Sequence, residues 1–218
     1  MKKFLLSVGL GWTVLSIQAQ MKEPWSKGEI MLADVERLKG DLVYAADAVV
    51  ITLKKEDETL RAFNATQIES FSFLDVRRKV MRNYKTSILP DTGRETIVEV
   101  VFDGALEVQR FFKGRRRSTG IRPLYNYFPE ETVEHGAFRY YVHDGVSLRT
   151  LEHFLRKSYK QKTAIWRDQL DLFKIRNDLN NGTESWLRVL LFFNILEEER
   201  KARQMPIEPP VGVDPVTI

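Results

Sequence analysis

Five bases crowd one short stretch of the chain: Arg110, Lys113, Arg115, Arg116 and Arg117, with Arg122 close behind. Gly114 and Gly120 give the stretch a loop character, and Phe111, Phe112, Tyr125, Tyr127 and Phe128 flank it. A guanidinium is a planar fork of donors, so Arg115, Arg116 and Arg117 on a glycine-rich loop could clamp a phosphate or a carboxylate. The neighbouring aromatics could stack bases or sugars. The plain alternative is a solvated loop beside an edge strand, where positive charge discourages aggregation. A second basic run, Arg77, Arg78, Lys79, Arg82 and Lys85, directly follows Asp75 and reads as a solvated strand or turn with part of its charge paired locally. The two runs gain meaning only if they meet on one face.

Acid–base chemistry has one candidate cluster: Glu130, Glu131, Glu134 and His135. Two carboxylates held about 5–10 Å apart in a cleft could cleave a glycosidic bond. Adjacent acids between Pro129 and Gly136 also fit an exposed loop or a helix start. The three histidines, at 135, 143 and 153, have no metal-ligand spacing, and no cysteine is present to complete a zinc set. The chain has no Gly-x-Ser-x-Gly elbow, no His-Glu-x-x-His and no phosphate-cradling glycine loop that opens a helix. No catalytic residue, metal or cofactor is therefore expected. A binding or structural role is favoured over an enzymatic one, with a hydrolase of envelope glycan or peptide as the alternative.

The elements that would carry these residues follow a leader. Lys2 and Lys3 precede an apolar run from Phe4 to Ile17, Gln18-Ala19-Gln20 follows, and no acid occurs before Glu23. This layout predicts a secretory signal peptide over residues 1–19, cut after Ala19. The run is shorter than the roughly 20 apolar residues of a membrane span, so no transmembrane helix is expected after cleavage. Gln at position 20 rules out the lipoprotein cysteine that follows such cuts. Removing the leader leaves 199 residues with 32 bases against 30 acids, a net charge of +2. That balance is not the signature of a nucleic-acid binder. Without cysteine, burial and hydrogen bonds must supply the stability.

Residues 20–146 read as a β-rich domain. Val49, Ile51 and Leu53 alternate with Val50, Thr52 and Lys54, and Phe71 and Phe73 repeat the period of two. Val98, Val100 and Phe102 before Asp103-Gly104, and Leu106, Val108 and Phe112 after it, predict a hairpin with a type I′ turn. A second Asp-Gly, at 144–145, predicts another turn.

Residues 147–203 read as a helical subdomain. Leu148, Leu151, Leu155 and Tyr159 form one stripe, and Trp166, Leu170 and Phe173 form a second. Trp186 to about Leu196 is a third helix, apolar over most of its circumference, with Glu197–Arg203 solvated beyond it. Residues 204–218 form a Pro-rich tail. The fold class expected is α+β: a mainly antiparallel, curled or barrel-like sheet followed by C-terminal helices.

The segments Gly28-Glu29-Ile30, Gly40-Asp41-Leu42-Val43-Tyr44 and Ala62–Phe73, with a leader ending Gln-Ala-Gln, give the chain a cadence. In this it resembles a broad group of small exported proteins of Gram-negative bacteria. The resemblance implies export to the periplasm or beyond and supplies no catalytic residue. The function expected is that of an exported, non-enzymatic envelope protein with a binding or structural role. Its partner would be an envelope component, either a protein or an anionic lipid or polysaccharide. If the partner is an anionic headgroup, Arg115, Arg116 and Arg117 are the residues to bind it.

Overall fold

The computed structural model describes residues 25–46, 48–76, 79–113 and 137–204. The strands are β1 (Ser26–Leu32), β2 (Arg37–Ala45), β3 (Val50–Lys54), β4 (Leu60–Asn64), β5 (Ile68–Asp75), β6 (Val80–Ile88), β7 (Glu95–Phe102), β8 (Glu107–Phe112), β9 (Phe138–His143) and β10 (Leu148–Thr150). They are followed by helices α1 (Leu151–Lys157), α2 (Tyr159–Lys162), α3 (Arg167–Arg176) and α4 (Thr183–Gln204). Short 3-10 turns, Ala65–Gln67 and Ala164–Trp166, precede β5 and α3.

The ten strands form one sheet in the order β10-β9-β8-β7-β6-β5-β1-β2-β3-β4, and every pairing is antiparallel. The expected α+β class therefore stands. The sheet is curled rather than closed, because β4 and β10 are its edges and do not pair with each other.

The curl has a chain-length cause. Only Ala65, Thr66 and Gln67 join β4 to β5, yet three strands lie between these two in the sheet. Four strand spacings in a flat sheet span about 19 Å. Four Cα steps reach about 15 Å when fully extended, and a 3-10 turn reaches less. The sheet must bend to bring β4 back towards β5. The Asn64 capping box, with Asn64 Oδ1 accepting from the Thr66 amide and Gln67 Oε1 from the Asn64 amide, fixes that turn. Bending brings Tyr44 of β2 over Phe71 of β5 and Tyr84 of β6, with ring centroids 5.2 and 5.1 Å apart.

The inner face of the curled half is one apolar core that includes Ile30, Leu42, Tyr44, Ile51, Leu53, Phe63, Phe71, Phe73 and Tyr84. Gly28 and Gly40, which open two segments of the cadence, pair directly across β1 and β2. A Cβ at Gly28 would lie 2.2 Å from the Ser72 carbonyl oxygen and 2.8 Å from Phe73 Cβ, so only glycine admits this approach.

Beyond β7 the same face is covered by helices. Leu106, Val108, Tyr140 and Val142 pack with Leu151, Phe154, Leu170, Val189, Leu190, Phe193 and Leu196. Trp166 and Trp186, expected in the core, sit half-buried at its margin. Trp186 meets Tyr159 edge-on at 5.1 Å, with Lys174 Nζ 4.3 Å from its ring centroid.

Three local expectations change. Leu148–Thr150 is a strand paired with β9, so the first helical stripe begins only at Leu151, where the Thr150 side chain caps α1. The β7–β8 hairpin is present, but its turn is not type I′: only Gly104 has a positive φ, and β8 starts at Glu107. Finally, α4 continues through the segment expected to be solvated. Glu197 is buried there, accepting from Trp166 Nε1 at 2.5 Å and from the Arg200 guanidinium at 2.8 Å.

Candidate functional site

The expected anion-binding residues Arg115, Arg116 and Arg117 lie outside the described residues, as do Glu130, Glu131, Glu134 and His135. The two basic runs do meet, but in the interior. Arg82 and Arg110 both fork onto Glu99: Arg82 through Nε at 3.0 Å and NH2 at 2.7 Å, Arg110 through Nε at 2.7 Å and NH2 at 3.0 Å. Asp75 stands 3.6 Å from Arg82 NH1, the local pairing anticipated for this run. Arg82 is only 5% exposed, so it is not the solvated base its sequence context suggests.

Register explains the meeting point. One row across six strands reads Ile30, Phe71, Tyr84, Glu99, Arg110 and Tyr140. Burial works against the Arg110 charge, but the adjacent Glu99 outweighs it and holds the guanidinium above its ordinary pKa. Burial, then Glu99, pushes the Tyr84 phenol well up. Two arginines against two carboxylates cancel, so this cluster separates the two cores without offering charge to a ligand.

The opposite face of the same strands carries a small apolar cluster of Leu89, Val98 and Tyr141, with Phe111 and Leu148 packed against it, and beside that cluster it is polar and open. The period of two that turns Phe71, Phe73, Tyr84 and Val108 inward turns Ser70, Ser72, Asn83, Lys85, Glu107 and Gln109 outward. There two adjoining hollows of about 450 and 500 Å³ share Ser70 and Lys85. Glu29, Arg37, Asn83, Asp103 and Glu107 help to line the first; Glu69, Ser87, Gln109, His143 and Ser147 help to line the second. Among their Asp, Glu, Lys and Arg side chains, Glu29, Glu69, Asp103 and Glu107 outnumber Arg37 and Lys85. The groove therefore carries two surplus negative charges.

At the centre, Lys85 Nζ donates to Glu107 Oε2 at 2.6 Å, and Gln109 Nε2 donates to Glu107 Oε1. A carboxylate only accepts, so the Gln109 amide must turn its NH2 group towards Glu107 and its carbonyl oxygen away. Gln109 is 2% exposed, and among the described residues its Oε1 has no hydrogen-bond partner. The Ser147 Oγ is in the same position. Buried polar atoms are normally satisfied, so a groove wall with two that are not is unusual.

A residue of α4 shapes this wall. Asn194 Oδ1 accepts from the Leu106 amide at 2.9 Å, while its Nδ2 donates to the carbonyls of Leu106 at 2.7 Å and Asp103 at 3.2 Å. The loop is thereby held between the two groove acids Asp103 and Glu107. Gly104 leaves room for the contact, since a Cβ there would lie 2.7 Å from Asn194 Nδ2.

No family model, curated protein or solved structure matches this chain. The groove must be read from its own chemistry.

That chemistry is donation to and acceptance from hydroxyls, amides and ammonium groups, with phosphate disfavoured by the surplus acids. Among the described residues no group of three or more His, Asp or Glu side chains could hold a metal ion. His143 lines the groove, whereas His153 is exposed on α1. No helix among the described residues is long and apolar enough to cross a membrane. Sequence reasoning singled out Lys85 only within a basic run and did not select Glu107, Gln109 or the serines. Their signal was the polar phase of the strand alternation, the half of the pattern that core-finding discards.

Proposed function

We propose that this chain is an exported, non-enzymatic envelope protein that binds a polar envelope component through the groove on the outer sheet face. The ligand class is a hydroxyl- and amide-rich molecule, neutral or cationic, as in the N-acetylated sugars of envelope glycan. The observation that carries this reading is the open polar groove itself, in which Ser70, Ser72, Asn83, Ser87 and His143 present donors and acceptors beside the acids. Hydroxyls and amides of a ligand exchange hydrogen bonds with these side chains in place of water. A binding role is supported by Glu107, the groove's central acid. Both its oxygens are engaged, by Lys85 and Gln109, which leaves it poorly placed to serve as a general base. The Lys-Lys start, apolar run and Ala19 support export.

Two measurements test the reading. Intact mass of the protein recovered from the envelope fraction should lack residues 1–19; a retained Met1 overturns release by cleavage. Soluble neutral oligosaccharides of N-acetylglucosamine should raise the melting temperature of the cleaved chain, and Ser72→Trp, which fills the groove, should abolish the rise. An unchanged rise in that variant removes the groove from the reading.

A further inference from the structure

A different surface carries charge that nothing in the fold uses. From His153 to Arg167 the chain contains no acid and five bases: Arg156, Lys157, Lys160, Lys162 and Arg167. The segment spans α1, α2 and the 3-10 turn that leads into α3. Leu151, Phe154, Ser158 and Thr163 are buried, while His153, Arg156, Lys157, Lys160, Ala164 and Arg167 are exposed. His153 and Lys157, four apart on α1, share one side of that helix, and Lys160 follows on α2.

Lys162 is drawn aside to the Asp144 carbonyl at 3.0 Å. The side chains of Arg156, Lys157, Lys160 and Arg167 make no ion pair or hydrogen bond among the described residues, although Glu152 and Asp168 bound the segment. On α4, by comparison, the half-buried Arg200 and the exposed Arg203 each hold a glutamate. Amid these four free cations Ile165 stands 72% exposed.

We infer that this face docks the protein onto the anionic surface of a lipid bilayer. A face of exposed lysines and arginines without paired acids responds to charge density. A protruding isoleucine adds a contact that an acyl–headgroup boundary can accept and that a free anion cannot. An anionic leaflet attracts each nearby Lys or Arg by about fivefold in partitioning. Four cations acting together therefore give an increment of a hundredfold or more, which salt screens. The inference is independent of the groove, which lies on the sheet, and either site can fail alone.

The test uses the cleaved chain and sedimentation with vesicles of equal phosphatidylglycerol and phosphatidylcholine, against vesicles of phosphatidylcholine alone. Binding to the mixed vesicles, lost at high salt, is expected, with none to the neutral ones. Replacing Arg156, Lys157, Lys160 and Arg167 together with Gln should weaken it by a hundredfold or more while circular dichroism and the melting temperature stay unchanged. Ile165→Ser should weaken it severalfold and leave the salt dependence in place. Wild-type binding by the fourfold variant overturns the inference. So does a loss seen only when Arg115, Arg116 and Arg117 are replaced with Gln. Binding to soluble heparin as tight as to vesicles, with no effect of Ile165→Ser, assigns the face to polyanions in general and overturns the membrane reading.

Discussion

Replacing Asn194 with Leu tests how the helices hold the sheet. The two side chains are similar in size, so the substitution removes hydrogen bonds without opening a cavity. Three bonds go, at 2.9, 2.7 and 3.2 Å, and two of them serve the buried Leu106 amide and carbonyl. A buried backbone group left unpaired costs about 1–3 kcal/mol. Two such groups give a loss of about 2–6 kcal/mol. At about 2–4 °C per kcal/mol for a chain of this size, the melting temperature should fall by roughly 4–24 °C. Urea unfolding followed by tryptophan fluorescence reads the free energy directly, and the slope should not change. Asn194→Asp separates hydrogen bonding from packing. It keeps the acceptor for the Leu106 amide but sets a carboxylate against two carbonyl oxygens, so it should be the worse variant at neutral pH and recover on acidification. A loss below about 1 kcal/mol for Asn194→Leu, the range of an ordinary surface change, would refute the claim that α4 clamps the loop.

Other substitutions probe other joints. Gly28→Ala should cost several kcal/mol in urea melts, because its Cβ would lie 2.2 Å from the Ser72 carbonyl oxygen and force β1 from β5. Glu99→Gln should cost about 3–5 kcal/mol by leaving Arg82 and Arg110 short of charge in the interior, whereas replacing Arg82, Glu99 and Arg110 together with apolar residues should be close to neutral. Burial pushes the Asp144 carboxyl up, but the amides of Ser147 and Val146, with Lys162 and Arg149, outweigh it and hold the group below its ordinary value. Its contribution is thus complete above about pH 4, the unfolded value, and lost as pH falls through the folded one. Melting temperatures between pH 5 and pH 2 should accordingly fall less steeply for Asp144→Asn than for wild type.

Strand alternation was legible because burial on one face writes itself into every second residue. Val50–Lys54 and Ser70–Phe73 could be read directly, whereas Val49, expected to begin that strand, is a turn residue with φ 54°. What escaped was every feature decided by a distant partner. The Asp103-Gly104 turn has the composition of a two-residue hairpin, but Asn194, far along the chain, holds a longer loop open. Arg82 and Arg110 look solvated because their sequence neighbours are charged, and only the register that sets Tyr84, Glu99 and Arg110 side by side puts them inside. The length of α4 was hidden by Glu197, an acid that sequence alone assigns to water but that Trp166 and Arg200 hold in the core margin. The groove was hardest to see, since serines, amides and a paired Lys85–Glu107 carry no motif until the sheet arranges them.

The division of labour between sheet and helices follows from the ionic row. Arg82, Glu99 and Arg110 interrupt the inner face, so no single apolar core runs its length. The N-terminal half covers itself, because a three-residue link forces it to curl. No such link joins the strands beyond β7, which meander by sequence neighbours to the edge at β10. Their apolar row of Val108, Tyr140 and Val142 needs a separate lid, and α1, α3 and α4 supply it. Once both inner surfaces are covered, the outer face of the central strands keeps only a small apolar cluster, Leu89, Val98 and Tyr141 with Phe111 and Leu148, and the rest of it is free to stay polar. The groove lies there, and Asn194 ties its acidic wall to the same helix that closes the second core. Loosening that helix should therefore weaken groove binding as well as stability, a coupling expected of Asn194→Leu even where the variant remains folded.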